Sequence, residues 1–330
     1  MNNFFEGDEF SLVSMTEAMN VLPVIPARFG SRNIFKGGGV NSAVVSIEQV
    51  DGNLRLIPTA QRGTMPNYDS NVKRVLRAIR IPHLPKNDTI IAESVQGVRA
   101  FGSATELEQV QTVVNNKLME LKQEHEATWE WHRIGALQGI ILDADGTSPV
   151  VNLFTEFDVT RTTINWDTTL AQGLKLACID LRRTMQDAMQ LMPWSDIQVE
   201  CSPGFWDQIL TSTETRDAYN RYQDNAFARD SNYAPFQYSQ VMFEELRGEV
   251  GTTPFVTDDE AFAYPITPAN LFRKFSAPGT FMETVNTIGL DYYAKQEPLK
   301  FNTGTEIHTQ SNPLHICTRP QVLIRLTFST

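Results

Sequence analysis

The sequence predicts an α+β fold of two or three domains, and three observations carry that prediction. One amphipathic helix of unusual length spans about 103–133, and a second spans about 168–192. Between 194 and 275, short apolar runs and short helical patterns alternate. From Ala277 onward the chain reads as short strands punctuated by Pro, Asn and Gly, closing on the alternating run Val322 to Phe328. The two long helices and the terminal strands together make one α+β body, with the alternating unit at 194–275 inserted into it. A length of 330 residues exceeds one ordinary core, and 41% hydrophobic with 20% charged residues is the composition of a normal globular protein.

Residues 1–25 read as an extended arm with a short helix near Met15 to Leu22, which Pro23 and Pro26 end. From 27 to 90 the pattern is strand-rich. Ala43 to Val50 and Leu54 to Pro58 flank Asp51-Gly52, a strong two-residue hairpin turn. A third strand is expected at Ala78 to Leu84, with a Gly/Pro/Asn loop at Gln61 to Ser70 between. Such a ribbon has few apolar residues and needs a surface to lie on. Gly37-Gly-Gly39 reads as a flexible bend at its start. No Gly-Lys-Ser/Thr follows, so it is not a phosphate loop.

The long helix opens on Ser103 and Glu106, spaced as a capping box. Leu107, Val110, Val114, Leu118, Leu121 and His125 then recur at three- and four-residue steps on one face, and Gly135 is the expected stop. About 30 residues at 1.5 Å each give roughly 45 Å, the length of a structural spine. A hairpin follows, with strands Gly139 to Leu142 and Val150 to Phe157 around the turn Asp143 to Thr147. The second helix, about Thr168 to Met192, carries Leu170, Leu174, Ala177, Leu181, Met185, Ala188 and Met192 as its stripe, with Asp167 as the expected cap. In 194–275, strands are expected at Ile197 to Cys201, Val241 to Leu246 and Pro254 to Val256, and helices at Pro203 to Leu210 and Glu214 to Tyr222.

Charge is unevenly spread. Residues 27–86 hold ten Lys and Arg against three acids, while the whole chain is at −11. An acidic body repels DNA, so the chain as a whole does not read as a nucleic-acid binder. The basic hairpin has few interleaved aromatics for base stacking, which favours docking onto protein. Arg55, Arg62, Lys73, Arg74, Arg77 and Arg80 are the candidate interface residues. The three cysteines, Cys178, Cys201 and Cys317, are far apart and in no ligand spacing, so buried reduced thiols are expected. No apolar stretch approaches a membrane span, and the first residues lack the basic start and apolar run of a signal peptide.

Two motifs bear on chemistry. Gly139-Ile-Ile-Leu-Asp-Ala-Asp-Gly-Thr147 has the form of the first motif of haloacid-dehalogenase-type phosphatases. In that reading Asp143 is the nucleophile, Asp145 the general acid/base, Mg²⁺ the cofactor and Asp258-Asp259 the later acidic motif. That chemistry needs a helix after the strand, whereas Ser148-Pro149 leads into another alternating run, and Asp-x-Asp-Gly is itself a turn sequence. Glu124-His-Glu-Ala-Thr-Trp-Glu-Trp-His-Arg133 has Trp129 where a zinc-peptidase helix needs its second histidine; His125 and His132 share a face but read as part of a packed helix end. Cys201 has no His nearby in sequence to activate it. No catalytic, metal or cofactor-binding residue is therefore assigned.

Several segments, in this order and spacing, resemble the lambda-type major capsid proteins of tailed phages, the capsid protein E family. They are Phe10-Ser-Leu-Val-Ser-Met-Thr-Glu-Ala18, Ile81-Pro-His-Leu-Pro85, Glu93-Ser-Val-Gln-Gly-Val-Arg-Ala-Phe-Gly-Ser103, Ala127-Thr-Trp-Glu-Trp-His-Arg133, Leu153-Phe-Thr-Glu-Phe157 and Phe243-Glu-Glu-Leu-Arg-Gly248. The C-terminal stretches Ala277 to Pro298 and Thr309-Gln-Ser-Asn-Pro-Leu-His-Ile-Cys-Thr-Arg-Pro320 complete the set, and the resemblance covers essentially the whole chain.

It implies a Hong Kong 97-type capsid fold. Residues 1–25 are then the N-terminal arm and 26–95 the E-loop hairpin and its base. Residues 96–193 are a peripheral domain with spine helix 103–133, hairpin 139–157 and helix 168–192. Residues 194–275 are the axial domain, and 276–330 return to the peripheral domain as its C-terminal strands. It further implies assembly of the chain with itself into hexamers, pentamers and an icosahedral shell around double-stranded DNA bound without sequence specificity. Portal, scaffold and decoration proteins are the other partners implied, with a separate scaffold or none rather than a fused one. The place is the virion, assembled in the host cytoplasm, with no membrane and no cofactor. The Asp143-Ala-Asp-Gly turn then falls at that family's hairpin tip.

Overall fold

The computed structural model describes residues 11–22, 27–50, 74–95, 106–167, 173–190, 192–212 and 236–329. Helix α1 (Leu12–Val21) starts where the Ser11 side chain accepts from the Ser14 amide at 3.3 Å. The short α2 (Arg28–Arg32) ends on Asn33 at φ 48°. Strands β1 (Lys36–Gly39), β2 (Val44–Val50), β3 (Arg74–Arg80) and β4 (Leu84–Ile91) follow, then α3 (Ala92–Val95). Strand β3 pairs with β2. The expected third strand at Ala78 to Leu84 is thus divided. Residues 81–83, which include Pro82, lie between β3 and β4, because proline cannot donate to a ladder. The hairpin turn Asp51-Gly52, the strand 54–58 and the loop 61–70 fall outside the described residues.

Helix α4 (Glu106–Gln138) is the long helix, and it runs past the expected stop. Gly135 lies inside it because a Cβ there would come within 2.8 Å of the Ile140 carbonyl oxygen. The helix ends instead at Gly139, whose φ of 86° suits the left-handed C-terminal position. The capping residue Ser103 lies outside the described residues. Strands β5 (Ile140–Leu142) and β6 (Pro149–Asn152) form the next hairpin, followed by α5 (Leu153–Glu156). The expected strand through Phe157 therefore stops early. The Asn152 side chain accepts from the amides of Phe154 and Thr155 and opens a helical turn.

Strand β7 (Thr162–Asp167) was not anticipated; it ends at Asp167, and residues 168–172, where the expected helix would begin, lie outside the described residues. Helix α6 (Gly173–Met189) is shorter than the expected 168–192. Gln190 at φ 54° closes it ahead of Pro193. Then come β8 (Asp196–Cys201), α7 (Pro203–Thr211), β9 (Phe236–Tyr238), β10 (Val241–Glu245), β11 (Glu249–Val250) and β12 (Thr253–Pro254). The last strands are β13 (Glu260–Ile266), β14 (Phe272–Ser276), β15 (Tyr293–Pro298), β16 (Gly304–Ser311), β17 (Pro313–Cys317) and β18 (Ile324–Ser329). The helix expected at 214–222 falls outside the described residues.

The chain divides into two compact units. The first takes the described residues up to Val45, with Ile79–Arg133 and Phe272–His315. Its antiparallel sheet runs β15-β16-β4. Val114, Leu118, Leu121 and Trp129 of α4 pack there with Ile90, Tyr292, Ala294 and Ile307, and Met15 and Met19 of α1 complete the cluster. Each buried Val, Leu, Ile or Met side chain of this cluster contributes about 1.5–3 kcal/mol relative to exposure.

Lys122 of α4 donates to the Asn20 and Leu22 carbonyls, at 3.2 and 2.7 Å, and so satisfies the open C-terminal end of α1. A second sheet, β1-β14-β17, has β1 parallel to β14. The triple glycine expected to be a bend is therefore a strand. A Cβ on Gly37 would lie 1.8 Å from the Lys274 carbonyl oxygen, so only glycine lets β1 approach β14 this closely.

The second unit takes Ser46–Ala78, Ile134–Leu271 and Ile316–Thr330, as far as these are described. Its six-stranded mixed sheet has the order β7-β18-β13-β8-β10-β9. Central β8 is buried on both faces, as are the middle residues of β13. Phe205 and Ile209 of α7 are buried, and Phe205 meets Trp166 and Phe328 at 5.5 and 4.4 Å between ring centroids. On α6 the buried stripe is Leu174, Cys178, Leu181, Met185 and Met189. The C-terminal strand, expected in one domain with the long helix, runs between β13 and β7, antiparallel to the first and parallel to the second. Alternation along Ile324, Leu326 and Phe328 marks a half-buried strand but carries no information about which sheet it enters.

Candidate functional site

The basic ribbon is described only in part. Arg55, Arg62 and Lys73 fall outside the described residues, and Arg74 marks the start of β3. Arg80 is exposed. Arg77 folds onto its own chain: its Nη1 donates to the Glu156 carbonyl at 2.5 Å, and its guanidinium lies 6.0 Å from the centre of the Phe157 ring. Leu76 beside it is 65% exposed. Of the six residues, only Arg77 and Arg80 have described side chains.

The Asp-x-Asp-Gly-Thr motif forms the tip of the β5–β6 hairpin. The Asp143 amide donates to the Ser148 carbonyl at 2.9 Å, and the Gly146 amide to the Asp143 carbonyl at 3.0 Å. The Asp145 carboxylate accepts from the amides of Thr147 and Ser148, both at 2.9 Å, and from the Ser148 hydroxyl at 2.5 Å. These donors, the Ser148 hydroxyl first, hold its pKa well below the usual carboxylate range. A group so firmly ionised has no proton to give as a general acid near neutral pH. The chain after the motif is strand β6, so the helix that a phosphatase site requires is missing at that point. The phosphatase reading finds no support.

The other expected candidates are likewise structural. His125 is buried under the β15-β16-β4 sheet, with Nε2 3.1 Å from the Thr309 hydroxyl, and burial lowers its pKa to about 4. Cys178, Cys201 and Cys317 are buried free thiols, and burial pushes Cys317 up to about 12, away from the reactive thiolate. Among the described residues no group of three metal-ligating side chains converges.

Two features carried no clear sequence signal. Phe301, between β15 and β16, is 97% exposed and sits at φ 63°. At the other end of β15, Met282, Val285, Ile288 and Leu290 are exposed around a 3₁₀ turn at Met282–Thr284. These are exposed apolar surfaces, and none of them is chemically reactive.

A long helix on a three-stranded sheet, a mixed six-stranded sheet and a two-stranded ribbon make an α+β arrangement of the Hong Kong 97 type, and among the described residues no catalytic constellation accompanies it. The fold resembles a putative capsid protein of an E. coli CFT073 prophage, with a TM-score of 0.56, 12% identity, and 97% and 99% of the two chains covered. It also resembles the capsid of cyanophage P-SCSP1u, with a TM-score of 0.51, 12% identity, and 94% and 91% covered.

Residues 11–328 match the family model for phage major capsid protein E, and the chain belongs to that family. The major capsid protein of Pseudomonas phage KPP10 is 25% identical over 340 residues, covering 96% of this chain and 97% of the relative. That of Salmonella phage Felix O1 is 24% identical over 356 residues, covering 97% and 96%. The chain is a phage major capsid protein, a structural component of the virion.

Proposed function

We propose that copies of this chain associate as hexamers and pentamers and close into an icosahedral shell that encloses double-stranded DNA. The observation that carries this reading is the family match across 11–328. In this reading the six-stranded-sheet unit is the axial domain around the local symmetry axes, and the unit built on α4 is the peripheral domain. The β2–β3 ribbon is the base of an E-loop that lies across the acidic surface of the adjacent copy. Such head-to-tail contacts close into rings when the rotation permits, and rings tile into a shell. Arg55, Arg62, Lys73, Arg74 and Arg80 steer that contact, while Arg77 anchors the ribbon on its own body. Exposed ion pairs contribute little each, so apolar contact and strand pairing supply most of the stability. Portal, scaffold and decoration proteins are the further partners of this reading, and the host cytoplasm is the place of assembly.

The test is size-exclusion chromatography with negative-stain microscopy of the purified chain, with and without co-expressed phage assembly proteins. Shells or capsomer rings are expected. A monomer under every condition would overturn the reading. Replacing Lys73, Arg74 and Arg80 together by Gln tests the steering role. Assembly should become weaker and more sensitive to salt, and unchanged yield at every ionic strength would remove that role.

A further inference from the structure

Two exposed apolar sites flank β15 in the first unit. Ahead of the strand, Met282 is 86% exposed, Val285 59% and Ile288 70%. Their loop, 282–290, is held by its own hydrogen bonds. The Thr284 hydroxyl donates to the Gly279 carbonyl at 2.7 Å, and the Thr287 hydroxyl to the Thr284 carbonyl at 2.8 Å. The Leu290 amide donates to the Tyr293 hydroxyl at 2.8 Å, and the Gly289 amide to the Val40 carbonyl at 2.9 Å. A surface fixed in this way loses little entropy when it is covered. Beyond the strand, Phe301 is 97% exposed and sits at φ 63°. A wet aromatic ring on a left-handed backbone is doubly unfavourable in the free subunit, and a contact outside the subunit would offset both costs.

One copy does not bring its own two sites together. The six residues of β15 separate them by roughly 20 Å along a single strand. Their chemistry is complementary. A methionine thioether and an aromatic ring attract each other. Beside Met282 stands the exposed Glu283, and beside Phe301 the exposed Lys300. Glu283 already accepts from Lys295 at 2.6 Å, and a carboxylate has room for further donors. Loop against loop would face two copies of Glu283, and turn against turn two copies of Lys300, so charge favours loop against turn.

We propose that the 282–290 loop is a docking surface for a second copy of this chain, whose Phe301 turn lays its ring against Met282, Val285 and Ile288 and sets Lys300 beside Glu283. This contact rests on the shell reading above. It is head-to-tail: each copy gives its Phe301 turn to one neighbour and offers its loop to another, so the contact is complete only when a ring of copies closes. The apolar groups supply most of its stability, and the exposed ion pair fixes which surfaces meet.

The test uses two single variants of the full chain, Glu283→Cys and Lys300→Cys, which keep Met282 and Phe301 in place. The two are mixed with wild-type copies, which carry them into the shell, and the isolated particles are treated with a short bismaleimide. The native thiols are buried. Mass spectrometry of the digested particles should show links between positions 283 and 300. Since the two cysteines are on different chains, every such link joins two copies. Particles without these links, or with links only between like positions, would overturn this contact and leave the shell reading standing. Absence of particles even from wild-type chain would overturn both.

Discussion

The Lys122 ammonium donates to the Leu22 carbonyl at 2.7 Å, across 100 residues of sequence. This bond and its neighbour to Asn20 tie the spine helix to the last turn of α1, and Tyr292 receives the same ammonium on its ring face at 5.2 Å. Lys122→Met keeps the aliphatic stem but removes both donors, leaving the C-terminal carbonyls of α1 open. The expected loss is about 1–3 kcal/mol. Hydrogen exchange checks the location: amides of α1 should exchange faster while those of β8 and β13 do not change.

Acid should weaken the unassembled subunit through His125. Its folded pKa of about 4 lies below the ordinary 6.5, so the unfolded chain binds the extra proton between these values. Stability from this group is complete above about pH 6.5 and falls as pH drops toward 4, by a total of about 3 kcal/mol. Burial lowers His315 in the same direction. Urea unfolding at stepped pH should show this slope in the wild type and a shallower one in His125→Gln. An identical slope in both would contradict the assignment.

Adjacent glycines of β1 should respond very differently to alanine. Gly37→Ala puts a methyl group against the Lys274 backbone, whereas a Cβ on Gly38 meets nothing within 4 Å. The first should destabilise by roughly 1–3 kcal/mol or more through overpacking, and the second should be close to neutral. Thermal unfolding of the two variants side by side is the check, and equal midpoints would contradict the close β1–β14 approach.

Phe301 separates strain from assembly. A non-glycine residue at φ 63° costs about 1–2 kcal/mol, so Phe301→Gly should stabilise the free subunit or leave it unchanged. The same change removes a ring that is exposed in the free subunit. Shell yield in sedimentation should then fall although the subunit itself is no less stable. Unchanged yield would mean that the ring has no role between copies.

Helical parts of the fold were legible because their signal is local. Val114, Leu118 and Leu121 recur on one face, and that face is buried. Boundaries were less legible wherever one residue type serves two purposes. Gly135 reads as a stop yet is required by the approach of Ile140, while the true stop is four residues on. The Gly37 to Gly39 run reads as a bend because its need for glycine lies in a strand more than 230 residues away. The capsid class was legible from ordered segments along the whole chain. The exposed Met282 and Phe301 were not, because both sit on turns, where no periodicity marks what is buried.

The position of β18 has a kinetic consequence. Asn165 and Thr327, 162 residues apart in sequence, become neighbours across β7 and β18. Until Ile324–Ser329 is inserted, β7 and β13 each present an unpaired row of amides and carbonyls. Long-range pairing of this kind is slow, and an open edge is a template for any strand that arrives first. At the concentrations a shell requires, the nearest such strand belongs to another copy of the same chain. Completion of one subunit's sheet therefore competes with strand exchange between copies.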